Sequence, residues 1–160
     1  MDKRLNRILQ NAMYTAIYVA LCYVFQPISY GMIQVRIAEA LCIMALFDDL
    51  AILSITLGCL LSNLFIFNSI IDAIFGTAAT FIGLICIKFI KKNNFFLKML
   101  PTILSNAIII PFVLKFAYFE NTPLFLSGVW VGLGEVVAVY VIGYILYHAL
   151  QRTRLFKKLA

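Results

Sequence analysis

Residues 8–35 contain no Asp, Glu, Lys or Arg, and neither do residues 50–71. Each run is longer than the ~18 apolar residues that mark a helix able to span a bilayer. A chain built from such runs folds as an all-α integral membrane protein. Composition agrees: 64% of residues are hydrophobic, 12% are charged and the mean hydropathy is +1.00, whereas a soluble domain carries about a quarter charged residues.

The basic residues are clustered. Lys3, Arg4 and Arg7 precede the first apolar run; Lys88, Lys91, Lys92 and Lys98 flank one loop; Arg152, Arg154, Lys157 and Lys158 form the tail. Clusters of this kind mark cytoplasmic flanks, so the net charge of +6 points to a lipid surface and away from nucleic acid. Six helices are expected, at about 8–25, 34–47, 50–67, 69–90, 99–117 and 126–149, within a single domain covering 1–160. Six crossings put all three basic clusters on one side, with both termini cytoplasmic and the bundle in the cell membrane. The second segment, at ~1.5 Å per residue, covers only ~20 Å and is too short to cross upright. The basic start followed by an apolar run reads as a retained helix, because the run is long and has no small-residue cleavage site.

Four ionisable residues, Arg36, Glu39, Asp72 and Glu135, fall inside these apolar segments. Charge at membrane depth costs a few kcal/mol per group and is tolerated mainly where it faces a protein interior or polar cavity. Three of the four are acids, so they cannot all neutralise one another; a small-molecule site within the bundle is the default reading.

Arg36 and Glu39 are three apart and share a helix face. They read as an internal ion pair or as ligand contacts, beside Gln34 and Tyr30 in a loop suited to an outer lid. Asp72 follows Ser69 with the spacing of a capping box, and also suits a site if the helix opens into a cavity; Phe75 and Gly76 then add an aromatic surface and a close-approach point. Glu135 has no basic residue at i±3 or i±4. It reads as a ligand contact or as a protonated acid bonded to a neighbouring helix, with Gly132 and Gly134 thinning the helix beside it. Trp130 offers a stacking surface or an interfacial anchor. Asn106 and Asn63 are costly in lipid and suit either interhelical bonds or a heterocycle edge.

Ala12, Ala16 and Ala20 line one face of the first helix, either for packing inside the bundle or for docking a partner helix. Cys22, Cys42, Cys59 and Cys86 have no metal-ligand spacing and read as buried thiols, and His148 as an interfacial cap. Neither a cofactor nor a metal is expected. A Gly-rich phosphate loop is missing from the sequence, as is room for an ATPase domain, so energy must come from a partner or a gradient.

Together these features resemble the substrate-binding (S) subunits of energy-coupling factor transporters, and most closely the queuosine-precursor transporter family, QueT. The stretches that carry it are Ile28-Ser29-Tyr30-Gly31-Met32-Ile33-Gln34-Val35-Arg36-Ile37-Ala38-Glu39, Asp72-Ala73-Ile74-Phe75-Gly76-Thr77, Leu104-Ser105-Asn106-Ala107 and Gly132-Leu133-Gly134-Glu135. The first is long and specific; the others are short. The resemblance implies a non-enzymatic binder of a 7-deazaguanine: 7-aminomethyl-7-deazaguanine, its nitrile precursor, or queuine. It also implies a membrane-embedded coupling (T) subunit and two cytoplasmic ATPases as partners.

Rival readings are an S subunit for another vitamin, a self-sufficient secondary transporter, or a small membrane acid–base enzyme using Glu39 and Glu135. The enzyme reading has no histidine within the bundle and no nucleophile–base pair to support it. A secondary transporter of the repeat-built kind would show internal symmetry, which the sequence does not.

Overall fold

A computed structural model describes residues 3–29, 34–118 and 121–152 of the chain. The described elements are all helical: α1 (Lys3–Val24), the single turn α2 (Gln26–Ser29), a 3-10 helix (Ile37–Leu46), α3 (Leu50–Phe65), α4 (Ile70–Ile87), α5 (Phe95–Ala117), α6 (Leu124–Glu135), a π-helical stretch (Val136–Ile142) and α7 (Gly143–Arg152). The last three run on without a break and form one rod, Leu124–Arg152.

The distribution of residue types is inverted relative to a water-soluble protein. Glu39, Glu135, Asn63, Asn106, Thr80 and Thr102 are fully buried, while Ile17, Leu57, Ile74, Ile108 and Val141 stand on the outside. Only a lipid solvent makes that arrangement favourable, because polar groups then seek the protein interior. Ile70–Ile87, Phe95–Ala117 and Leu124–Arg152 are long and apolar enough to cross a membrane; Ile37–Leu46 and Leu50–Phe65 are apolar but shorter.

Caps fix where helices begin. Ser69 has extended backbone, and its Oγ accepts the Asp72 N–H at 3.1 Å. This is one arm of the capping box expected from sequence; the Ser69 N–H instead bonds to the Asn63 carbonyl at 3.1 Å. Asn94 caps α5 by accepting from Phe96 and Leu97, which starts that helix at Phe95, ahead of the expected residue 99.

Glycine sets how closely the helices approach. Pro111, inside α5, has no N–H for the carbonyl four residues back. That carbonyl belongs to Ala107, and α6 meets it with Gly128, where a Cβ would stand 3.2 Å from the oxygen. On the other side of α5, a Cβ on Gly83 of α4 would stand 2.6 Å from the Thr102 Cα. Small residues of this kind let membrane helices pack backbone to backbone.

Segment two departs most from expectation. The spacing suggested an α-helix over about 34–47, whereas Ile37–Leu46 is a 3-10 helix of 10 residues with eight of them buried. At ~2.0 Å per residue it still reaches about 20 Å. It packs against α1, α3 and the π stretch.

The Asp48–Asp49 turn, to which the sequence assigned no role, ties elements together at the end of the bundle that carries Arg7 and Lys88. Asp48 accepts from Arg7, from Asn11 Nδ2 at 2.7 Å and from the Leu50 N–H at 3.1 Å, and Ser54 Oγ donates to Asn11 at 2.8 Å. Asp49 forms an ion pair with Lys88 of the α4–α5 loop. His148 sits edge-on to Tyr144 at 4.4 Å, in an aromatic cluster with Phe95, Phe96 and Tyr147.

Candidate ligand-binding site

Four parts of the chain bring the intramembrane polar residues together: residues 34–39, the buried face of α4, and the facing sides of α5 and α6. On α4 the buried residues include Asp72, Gly76 and Thr80, successive i+4 positions on one stripe. The same periodicity excludes Phe75, which is half exposed on the outer side of the bundle. Trp130 is also set apart: five residues before Glu135 at about 100° each is ~140° around the helix, and it lies half-buried on the flank. Tyr30 lies outside the described residues.

Glu135 and Glu39 are almost completely buried, as is Asn106. Glu39 accepts from Tyr18 Oη at 2.6 Å, Thr80 Oγ1 at 3.0 Å and Cys42 Sγ at 2.9 Å. These donors come from α1, from α4 and from the same 3-10 helix. Arg36 lies against Gly76, where a Cβ would be 3.6 Å from Nη1 and 3.2 Å from Asn63 Nδ2. The Asn106 amide faces the Glu135 carboxyl group.

Gly134 explains how Gln34 reaches this cluster. The Gln34–Val35 backbone lies directly on Gly134, so close that a Cβ there would be 2.3 Å from the Gln34 carbonyl oxygen. The glycine expected to admit a ligand or another backbone therefore admits backbone. Gly132 meets only the Ala107 Cβ, at 3.5 Å.

Gln34 and Asp72 line a cavity of about 650 Å³ together with Gln26, Pro27, Ile66, Phe67, Leu114 and Tyr118. At its rim Tyr118 donates a hydrogen bond to Asp72 Oδ2. Arg36, Glu39, Asn106 and Glu135 are not among its described lining residues. Gln34 Oε1, Asn106 Oδ1, Glu135 Oε2 and Thr77 Oγ1 are buried without a hydrogen-bond partner. Orphaned buried polar atoms are uncommon in folded proteins; the Gln34 and Asn106 oxygens are acceptors only, and Glu135 Oε2 is one when its carboxyl group is ionised. The arrangement suits a ligand that presents several donors along one edge. Sequence reasoning missed Tyr118, Thr77, Thr80 and Tyr18; Thr80 was legible from its i+4 repeat with Asp72 and Gly76, whereas Tyr18 and Tyr118 come from distant elements.

An all-helical bundle with an apolar exterior and a polar, incompletely satisfied interior beside a cavity is the form of a multi-pass membrane protein that handles a small polar solute. The chain belongs to the QueT transporter family, whose model matches residues 8–152; the family is one of transporters and not of enzymes. The chain is similar to the queuosine precursor transporter QueT of Lactococcus lactis subsp. cremoris (strain MG1363), with 27% identity over 147 residues covering 84% of this chain and 86% of the relative. No solved structure matches it significantly.

Proposed function

We propose that this chain is the substrate-binding subunit of an energy-coupling factor importer and takes up a 7-deazaguanine queuosine precursor. The observation that carries the ligand class is the set of orphaned acceptors, Gln34 Oε1, Asn106 Oδ1 and Glu135 Oε2, behind a cavity that has Asp72 at its rim. A guanine-like edge offers a ring N–H beside an amino group, and a carboxylate accepts both at once. On this reading Gln34, Asn106 and Glu135 take the base edge and Asp72 takes the substituent on the deaza ring. Arg36 and Glu39 hold the polar cluster in place, with Trp130 and Phe75 as the more distant candidates and Tyr30 as a further one. The relative's name supports the same ligand.

In this proposal the bundle crosses the membrane six times with both termini in the cytoplasm, and α1 docks the membrane-embedded coupling subunit through Ala12, Ala16 and Ala20. All three alanines are exposed, so they are not consumed by packing inside the bundle. Two cytoplasmic ATPases supply the energy.

The test is titration calorimetry of wild type and Glu135→Gln with 7-aminomethyl-7-deazaguanine and queuine. The variant keeps the shape but turns an acceptor into a donor facing the ligand's own donors. Charge-assisted hydrogen bonds contribute ~1.5–3 kcal/mol, so affinity should fall at least tenfold, while expression and insertion persist. A well-folded variant with unchanged affinity for both ligands places Glu135 outside the site. Wild type binding neither ligand refutes the ligand class.

A further inference from the structure

Tyr118 is the capping residue at the end of α5, and Ser69 is the N-cap of α4. The Tyr118 hydroxyl spans the two helices: it lies 2.7 Å from Ser69 Oγ and donates to Asp72 Oδ2. Both Asp72 and Tyr118 line the 650 Å³ cavity, and Asp72 is the single charged side chain among its described lining residues. Asp72 is buried, whereas Tyr118 is 50% exposed and stands at a helix end, where its ring has space to turn outward.

We propose that Tyr118 tempers specificity at the substituent end of the site, competing with a cationic ligand for Asp72: it occupies Asp72 while the site is empty and yields it to a ligand ammonium group. This inference rests on the reading of the ligand as a 7-deazaguanine. The chemistry is a competition for one carboxylate oxygen. A phenol O–H is a neutral donor, while an ammonium N–H makes a hydrogen bond charged on both sides, the stronger kind. An aminomethyl group therefore displaces the tyrosine. A nitrile offers only an acceptor, cannot replace the O–H, and leaves Tyr118 closed on Asp72. The empty site is thus protected from an unsatisfied buried acid, and the cationic ligand gains a contact that the nitrile lacks. Arg36 lies against Gly76, four residues on from Asp72 along α4, and Lys115 is exposed in the last turn of α5; neither is among the described lining residues of the cavity.

The experiment measures dissociation constants of the purified full chain for 7-aminomethyl-7-deazaguanine and 7-cyano-7-deazaguanine, in wild type, Tyr118→Phe, Asp72→Asn and the double variant. Tyr118→Phe keeps the ring and removes the competing donor. Affinity for the aminomethyl compound should rise roughly three- to tenfold while that for the nitrile changes less than about twofold, the size of one weak hydrogen-bond difference. In the Asp72→Asn background the same tyrosine change should have no effect on either ligand. Equal changes for both ligands, or no change for either, overturn the proposal and make Tyr118 a structural tie between α4 and α5. An effect that persists without the Asp72 carboxylate overturns it too. Failure of wild type to bind either compound refutes the ligand assignment itself, and this inference with it.

Discussion

Gly134→Ala adds one methyl group at the point where the 34–35 backbone crosses α6. The new Cβ would stand 2.3 Å from the Gln34 carbonyl oxygen, 2.7 Å from its carbon and 3.2 Å from the Val35 nitrogen. An unstrained contact needs ~3.5 Å, so one backbone must retreat by roughly 1 Å. All three of these neighbouring atoms are main chain, so turning a side chain aside does not relieve the contact. Overpacking of that kind costs about 1–3 kcal/mol, or at ~2–4 °C per kcal/mol a fall of several degrees in melting temperature. Function should suffer more. A site tolerates about 0.5 Å of error, and Gln34 is the link between the cavity and the buried Glu135 cluster. Affinity for 7-aminomethyl-7-deazaguanine should fall at least tenfold. Gly132→Ala is the control: its Cβ would meet only the Ala107 Cβ at 3.5 Å, so stability and affinity should stay near wild type. Calorimetry and a thermal-shift assay on both variants check this. If Gly134→Ala melts and binds like Gly132→Ala, the 34–36 segment does not rest on α6, and the route from cavity to Glu135 is wrong.

Three further outcomes are expected. The Asp48 carboxyl group is pushed up by partial burial, but hydrogen bonds from Arg7, Asn11 and the Leu50 N–H outweigh this and hold it below its ordinary value; a depressed acid stabilises the fold above its unfolded pKa of about 3.9 and loses that contribution as pH falls through its folded value. Thermal melts from pH 6 down to pH 3 should therefore show a loss of stability that is smaller in Asp48→Asn, and parallel curves would remove Asp48 from the account. Ala16→Trp on the exposed stripe of α1 should abolish cellular uptake while binding to the isolated subunit stays within about twofold, a factor below RT in energy; parallel loss of both would make the stripe internal packing. A cysteine introduced at Asn121 should react with an impermeant maleimide from outside intact cells and one at Asn93 should not, in a Cys86→Ser background because Cys22, Cys42 and Cys59 are buried but Cys86 is partly exposed; equal labelling breaks the six-crossing topology.

The membrane class was legible because it follows from local facts: uncharged runs of set length and the cost of charge in hydrocarbon. The Ser69 cap of α4 was legible for the same reason, since donor and acceptor lie three residues apart. So was the choice of Arg36, Glu39, Asp72, Asn106 and Glu135 as the polar interior, because composition alone makes each of them anomalous in lipid. What these residues bond to was decided by the tertiary structure. The i, i+3 spacing left Arg36 and Glu39 as an internal pair or as ligand contacts, and carried no sign of the Glu39 donors Tyr18 of α1 and Thr80 of α4, residues 21 and 41 positions away. Phe75 and Trp130 were near the site in sequence but stand off it in space, because a few residues along a helix carry a side chain most of the way round its axis. The 3-10 form of Ile37–Leu46 and the close crossing at Gly134 likewise depend on the neighbours that press on them. Sequence fixes which groups must leave the lipid; only the packing of distant helices determines which partner each one finds.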